Sequence, residues 1–290
     1  VSSRQRRLRW RSPAGFHWLA WTEWGPPDGA PVICVHGLTR TGRDFDALAA
    51  ALAERGRRVL CPDMPGRGAS DRLPDPSLYR NDIYACACAH LVATLGDAPI
   101  DWIGTSMGGI IGMILAATPN APIRRLVIND VGPFIPAAAL ARIGEYLGRA
   151  WTFPDLAAAE AHMRKAYAPF GALTDAQWRH LTETSLHPMP GGGFRLHYDP
   201  AIAEPFRKPP QDVEFWPVWE QIATPTLVLR GAESDLLLPE TATRMAAKPG
   251  VRVETIAGCG HAPALLDATQ IALVTAFLED PAGSRPPGAA

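Results

Sequence analysis

Ser106 stands two residues from a glycine on either side, in Gly104-Thr105-Ser106-Met107-Gly108. The spacing suits nucleophilic chemistry. The apolar run 101–105 reads as a short strand and 107–117 as an amphipathic helix, so Ser106 falls on the turn between them. Glycines at 104 and 108 carry no Cβ, which lets strand and helix fold back tightly while the serine is held in strained backbone geometry. Such a turn is a nucleophile elbow: it lifts the hydroxyl clear of the sheet and aims the first N–H groups of the helix at negative charge forming beside it. A serine hydroxyl barely ionises at neutral pH. It needs a base within hydrogen-bond reach, and that base needs an acid to fix its tautomer.

The elements that must position these groups follow from the order of the chain. Two aromatic, alternating stretches, 8–11 and 16–24, flank Ser12-Pro13-Ala14-Gly15 and predict an antiparallel hairpin. The buried run 32–35 is a strand that ends in His36-Gly37-Leu38-Thr39, and a helix follows over 43–55. Strand 59–61 leads into Pro62-Asp63-Met64-Pro65-Gly66-Arg67-Gly68, a loop too rich in Gly and Pro to be regular. A helix over 79–95 precedes the elbow, and a strand over 125–129 follows it. Alternation then stops. The Ala-rich, aromatic-bearing span from Asp130 to Trp216 reads as an inserted helical cap. It resumes with strand 226–230, helix 239–247, strand 251–256 and helix 264–278. The expected domains are a core of 1–130 and 217–280, a helical cap of 131–216, and a Gly/Pro/Ala-rich tail, 281–290, expected to be disordered. Eight strands in mostly β-α alternation make a mostly parallel sheet with antiparallel pairing confined to its beginning.

Two of these strands run into loops that bear the remaining chemistry. Strand 226–230 leads to Gly231-Ala232-Glu233-Ser234-Asp235, and strand 251–256 leads to Ala257-Gly258-Cys259-Gly260-His261. With the elbow, the His36-Gly37 loop and the Pro-Asp-x-x-Gly-x-Gly loop, they make the chain resemble the α/β-hydrolase fold along roughly residues 8–280. The resemblance implies Ser106 as nucleophile, Asp235 as acid and His261 as base, in the family's order. It further implies an oxyanion hole from the backbone N–H groups of Leu38 and Met107, and a structural role for the loop 62–68. Asp130, which ends the preceding strand, is the alternative acid. The large cap, and Phe215-Trp216-Pro217-Val218-Trp219 leading towards Asp235, resemble intracellular carboxylesterases, some of which accept hydroxyalkanoate esters. The implied reaction is cofactor-independent hydrolysis of a small ester through an acyl-enzyme, with the cap choosing the ester. Carbon-carbon bond hydrolysis or perhydrolysis by the same triad is the alternative, and a non-catalytic ligand-binding protein is a third reading.

Composition narrows the partners. Charged residues make up 20% of the 290, with a formal net charge of −1, so no global field favours nucleic acid or an anionic membrane. Arg4, Arg6, Arg7, Arg9 and Arg11 crowd one end, where a solvated strand accounts for them and a polyanion contact is the alternative. Five scattered cysteines without C-x-x-C spacing suggest neither disulfides nor a metal, but free thiols in a reducing cytoplasm. No signal-peptide pattern or run of 18 apolar residues occurs. The first residue is Val1 rather than Met, which leaves room for a removed leader or tag. Trp151, Phe153, Trp178 and Trp216 are candidates for the acyl pocket, with packing of the cap as their other role. Cys259 reads as packing, and His36 as a structural hydrogen-bonder rather than a second base.

Overall fold

The computed structural model describes residues 2–280, so the expected tail, 281–290, lies outside the described residues. Eight strands form the central sheet: β1 (Ser3–Ser12), β2 (Gly15–Trp24), β3 (Ala30–Val35), β4 (Arg57–Pro62), β5 (Ile100–Thr105), β6 (Ile123–Asn129), β7 (Thr226–Gly231) and β8 (Val251–Ile256). Their spatial order is β1-β2-β4-β3-β5-β6-β7-β8. The first two strands form the expected hairpin, β2 pairs antiparallel with β4, and every later neighbour is parallel. Parallel strands buried on both faces must be apolar throughout, and β3, with Val32 to Val35 fully inaccessible, is built that way.

Helices α1 (Asp46–Glu54), α2 (Asn81–Ala93), α3 (Met107–Ala116), α8 (Pro239–Ala246) and α9 (Ala268–Glu279) follow strands of the sheet. One apolar cluster, which includes Trp102, Ile111 and Ile128, fills one side. Another, which includes Leu48, Val127 and Phe277, fills the other. The last helix starts four residues later than expected. Asp267 caps it by accepting from the N–H groups of Thr269 and Gln270, which leaves 262–266 free to cross the site as loop.

No strand from 131–216 enters the central sheet. The span holds α4 (Ala137–Gly144), α5 (Leu156–Ala166) and α6 (Asp175–Glu183), and α7 (Trp216–Gln221) leads out of it. Short strands accompany these helices. Thr152–Phe153, Phe194–Leu196 and Leu186–Pro188 form a three-stranded antiparallel sheet, and Phe134–Ile135 pairs with Val213–Glu214 where the chain enters and leaves. Strands of two or three residues are too short to show a period of two in sequence.

Registry explains where the site falls. Val35 is level with Gly104, Thr105 with Asn129, and Asn129 with Leu229. The loops after β3, β5, β6 and β7 therefore leave one edge of the sheet side by side, at the ~4.8 Å spacing of neighbouring strands.

Candidate active site

Ser106 adopts φ +52°, ψ −114°, a conformation that non-glycine residues rarely take. Its neighbours hold it there. A Cβ on Gly104 would run into the Gly108 carbonyl, and one on Gly108 would run into the carbonyl oxygen of Val35. Close approach, not a positive φ, is what both glycines supply. The Trp102 indole N–H donates to the Gly108 carbonyl at 3.0 Å, and the Ser106 N–H donates to the Asn129 carbonyl at 2.8 Å. Strand, turn and helix are thereby locked together.

His261 lies beside the serine. Its Nε2 is 2.9 Å from Ser106 Oγ and its Nδ1 is 2.8 Å from Asp130 Oδ2. Asp130, the alternative to Asp235 in the sequence, is the carboxylate that meets the histidine. Asp235 points away from the histidine and forms a half-exposed pair with Arg142 of α4, Nη2 to Oδ1 at 2.8 Å. Sheet order gives the reason. Asp130 is the first residue after β6, next to the elbow, and reaches the histidine at once. Asp235 comes four residues after the end of β7, by which point the loop has turned towards α4. Asp130 is fully buried. It accepts from the Gly231 N–H on Oδ1 at 2.8 Å and from the Ser234 hydroxyl on Oδ2 at 2.6 Å. Acceptance at Oδ2 keeps the ring proton on Nδ1 and leaves the Nε2 lone pair facing the serine hydroxyl. Asn129 steadies the same loop, donating from Nδ2 to Thr105 Oγ1 at 3.0 Å and to the Pro263 carbonyl at 2.8 Å.

Leu38 and Met107 flank Ser106 in one cavity. Met107 is the first residue of α3, so its N–H has no acceptor within the helix. Arg67, almost completely buried, braces both positions. Its Nε donates to the Leu38 carbonyl at 2.8 Å, Nη1 to Tyr84 Oη and the Pro65 carbonyl at 2.7 Å each, and Nη2 approaches Met107 Sδ at 3.7 Å. His36 underpins the loop from below: Nδ1–H donates to the Gly37 carbonyl at 2.7 Å, and Nε2 accepts from the Met64 N–H at 2.9 Å. Burial, seconded by the nearby Arg67 and Arg40 charges, pushes its pKa down to about 3 despite the bond to Gly37. The ring is neutral and structural.

Two cavities meet at the serine. A large one of about 1030 Å³ carries Met107, Ile110, Val131, Leu140 and Phe215 on its walls and has Arg80 and Lys208 among its polar residues. A small one of about 70 Å³ is bounded by His261, Arg40, Arg142, Tyr146, Tyr167 and Phe170. None of the four expected pocket aromatics lines either. Trp151 borders a separate arginine-lined hollow on the cap and, with Phe153, packs on His162. Trp178 packs with Leu181 and Leu266 beneath Arg164, and Trp216 lies under the Arg244 guanidinium at 3.6 Å. The walls of the large cavity are largely aliphatic, and a helical aliphatic residue that lines a cavity has the same sequence signature as one in a core.

Cys259 is buried beside the Phe170 carbonyl, where burial raises its thiol pKa. The five arginines of β1 lie on an exposed strand, two of them stacked over Trp18. Ser234 and Asn129, to which the sequence analysis gave no role, lie buried around Asp130. The signal for this group was a polar pair, Asn129-Asp130, at the end of an otherwise apolar central strand.

Residues 32–272 match the model of the alpha/beta hydrolase family. The chain is 44% identical over 278 residues to a 3-hydroxybutyrate-oligomer hydrolase of Cupriavidus necator, covering 92% of this chain and 94% of that one. A solved alpha/beta hydrolase of Novosphingobium aromaticivorans superposes with a TM-score of 0.85 at 37% identity, covering 96% of this chain and 99% of the other. A protein from Rickettsia typhi does so with a TM-score of 0.89 at 32% identity and the same coverage.

Proposed function

The chain belongs to the alpha/beta hydrolase family and is a hydrolase, and from that premise we propose that it is a serine carboxylesterase acting on hydroxyalkanoate esters, 3-hydroxybutyrate oligomers among them. The observation that carries the reading is the position of His261, 2.9 Å from Ser106 Oγ and 2.8 Å from Asp130 Oδ2. The name of the Cupriavidus necator relative supports the choice of ester.

The chemistry follows from the geometry. Ser106 Oγ attacks the ester carbonyl as its proton passes to His261 Nε2, and Asp130 stabilises the imidazolium. The carbonyl oxygen becomes an oxyanion beside the N–H groups of Leu38 and Met107. Losing one such donor costs on the order of 3 kcal/mol in the barrier. The carbon–oxygen bond to the alcohol breaks, and Nε2 returns the proton to the departing alkoxide. Water then attacks the acyl-enzyme, giving its proton to Nε2, and the ester bond to Ser106 breaks as Oγ recovers that proton. The products are an alcohol and a carboxylic acid. The insertion 131–216 selects the ester, because Ile135, Leu140 and Ile143 of the large cavity belong to it. Five free cysteines suit a reducing cytoplasm, and no helix among the described residues is long and apolar enough to cross a membrane.

A substrate panel tests the reading: 3-hydroxybutyrate dimer and trimer, p-nitrophenyl esters of graded acyl length, a ring-cleavage dienoate, and peracid formation from acetate and peroxide. Hydrolysis of the oligomers, abolished in Ser106→Ala, is the expected result. Turnover of the dienoate or formation of peracid at a higher kcat/KM than any ester would overturn it.

A further inference from the structure

The two cavities at Ser106 differ more than tenfold in volume, about 1030 against about 70 Å³, and the catalytic groups are not shared equally between them. His261 borders only the small cavity. Met107, one of the two oxyanion donors, borders only the large one, and Ser106 and Leu38 border both. This asymmetry fixes which half of an ester goes where. The leaving alkoxide must lie against His261 Nε2 to receive its proton, so the alcohol occupies the small cavity. The acyl half stays on Ser106 with its carbonyl oxygen at the Met107 and Leu38 N–H groups, and extends into the large cavity.

From this the geometry points to a direction of cleavage: a 3-hydroxybutyrate oligomer loses its carboxylate-terminal unit in each turnover, while the hydroxyl-terminal remainder is held as the acyl-enzyme. The inference rests on the oligomer-hydrolase reading for its substrate, but its polarity stands on the cavities alone. In such an oligomer every ester joins the acyl group of one unit to the hydroxyl of the next, so the alcohol half is always the part nearer the free carboxylate. The small cavity has about one fifteenth of the volume of the large one, so the single carboxylate-terminal unit goes there and the longer remainder into the large cavity. Its walls carry Arg40 and Arg142, paired with Asp44 and Asp235, beside Tyr146, Tyr167 and Phe170. The large cavity falls at the upper end of the usual range for ligand sites and is walled by Ile110, Ile114, Val131 and Val218, which suits a run of methyl-bearing units.

The bonds balance as in ordinary ester hydrolysis. Attack by Ser106 Oγ breaks the ester and releases 3-hydroxybutyrate, its new hydroxyl proton delivered by His261. Water then releases the shortened oligomer with a fresh carboxylate, ready for the next round.

Two measurements on the wild-type enzyme test this. In the first, a trimer carrying ¹³C only in its carboxylate-terminal unit is mixed with excess enzyme and quenched. Labelled monomer, unlabelled dimer and a two-unit adduct on the Ser106 peptide are expected. Labelled dimer with a one-unit adduct would overturn the direction and place the carboxylate at Arg80 and Lys208 instead. The second uses simple esters, ethyl hexanoate against hexyl acetate. A kcat/KM at least tenfold higher for the long acyl chain is expected, and the reverse order would refute the cavity assignment whether or not oligomers are substrates. If the trimer is inert while ethyl hexanoate is preferred, the oligomer reading and the direction of oligomer cleavage both fall, and the polarity of ester binding remains.

Discussion

Replacing Asp130 by Asn tests the acid, and the surrounding hydrogen bonds allow the loss to be worked out. Oδ1 accepts from the Gly231 backbone N–H, while Oδ2 accepts from Ser234 and His261. A backbone N–H cannot become an acceptor, so the Asn carbonyl must take the Oδ1 position and its NH₂ the Oδ2 position. The Ser234 hydroxyl can rotate to accommodate this. His261 can do so only by accepting at Nδ1, which moves its proton to Nε2 and disables it as a base for Ser106. Flipping the amide restores the tautomer but sets NH₂ against the Gly231 N–H, leaving a buried donor unsatisfied at about 1–3 kcal/mol. The flipped variant also lacks the carboxylate charge beside the imidazolium, a difference of about 1.5–3 kcal/mol for a charged hydrogen bond. Together these come to about 2.5–6 kcal/mol, a fall in kcat of roughly 10² to 10⁴ at 1.36 kcal/mol per decade. The upper end is the loss seen when a serine triad holds the wrong tautomer. Initial rates on p-nitrophenyl butyrate at saturation, with circular dichroism to confirm folding, measure it. Asp235→Asn breaks only a half-exposed pair of about 0–1 kcal/mol, so kcat should stay within a few-fold of wild type. If Asp130→Asn remained within tenfold while Asp235→Asn fell by 10³, the reasoning from the hydrogen bonds would be wrong.

Three further outcomes are expected. A fluorophosphonate should label only the Ser106 peptide by mass spectrometry, with Ser106→Ala folded, unlabelled and inactive; an adduct at Cys259 would contradict the elbow. Arg67→Met should lower kcat ten- to a hundredfold with KM within a few-fold, because the Leu38 carbonyl and the Met107 side chain lose their brace; a drop in melting temperature with kcat unchanged would make Arg67 purely structural. His36, with its pKa lowered from 6.5 to about 3 by burial, takes up a proton on unfolding, so its stabilisation is complete above pH 6.5 and is lost as pH falls towards 3. Asp63, raised by burial to about 6, acts in the opposite sense: its contribution is full below its unfolded pKa near 4 and is lost as pH rises through 6. Urea denaturation between pH 6 and 4 should therefore show His36→Gln losing stability less steeply than wild type, by up to ~1.4 kcal/mol per pH unit, and equal slopes would count against a neutral buried His36.

What could be read in the chain divides along a physical line. Strand-helix alternation and the glycines around Ser106 are local, and local constraints leave local signals: a Cβ at Gly104 or Gly108 collides with backbone a few residues or one strand away. The parallel sheet, the hairpin and the tight turn at Ser106 were legible for that reason, and the structure sets His261 beside that serine. Which carboxylate meets His261 is not local. Asp130 and Asp235 both follow apolar strands, and their sequence distances from His261 carry no information about the route of the loop after β7. What separates them is lateral position in the sheet, where Thr105 is level with Asn129, together with the fate of the loop side chains. Ser234, one residue before Asp235, turns inward to Asp130, so Asp235 is left to reach outward to Arg142. The pocket failed for a related reason. Aromatic residues in the cap were conspicuous, but Trp178 and Trp216 stack under Arg164 and Arg244, and the large cavity is walled by aliphatic residues such as Ile110, Val131 and Leu140. Ile110 and Leu140 lie on helices packed against the core and Val131 belongs to the core cluster itself, so their hydrophobicity looks the same in sequence whether they meet a neighbour or a ligand. A change there should consequently separate the two roles: Leu140→Ala enlarges a cavity already open, and its cost in stability should fall below the 2–5 kcal/mol of a buried Leu→Ala while its effect appears in the preference among acyl chains. A full core penalty with acyl preference unmoved would place Leu140 with the packing residues instead.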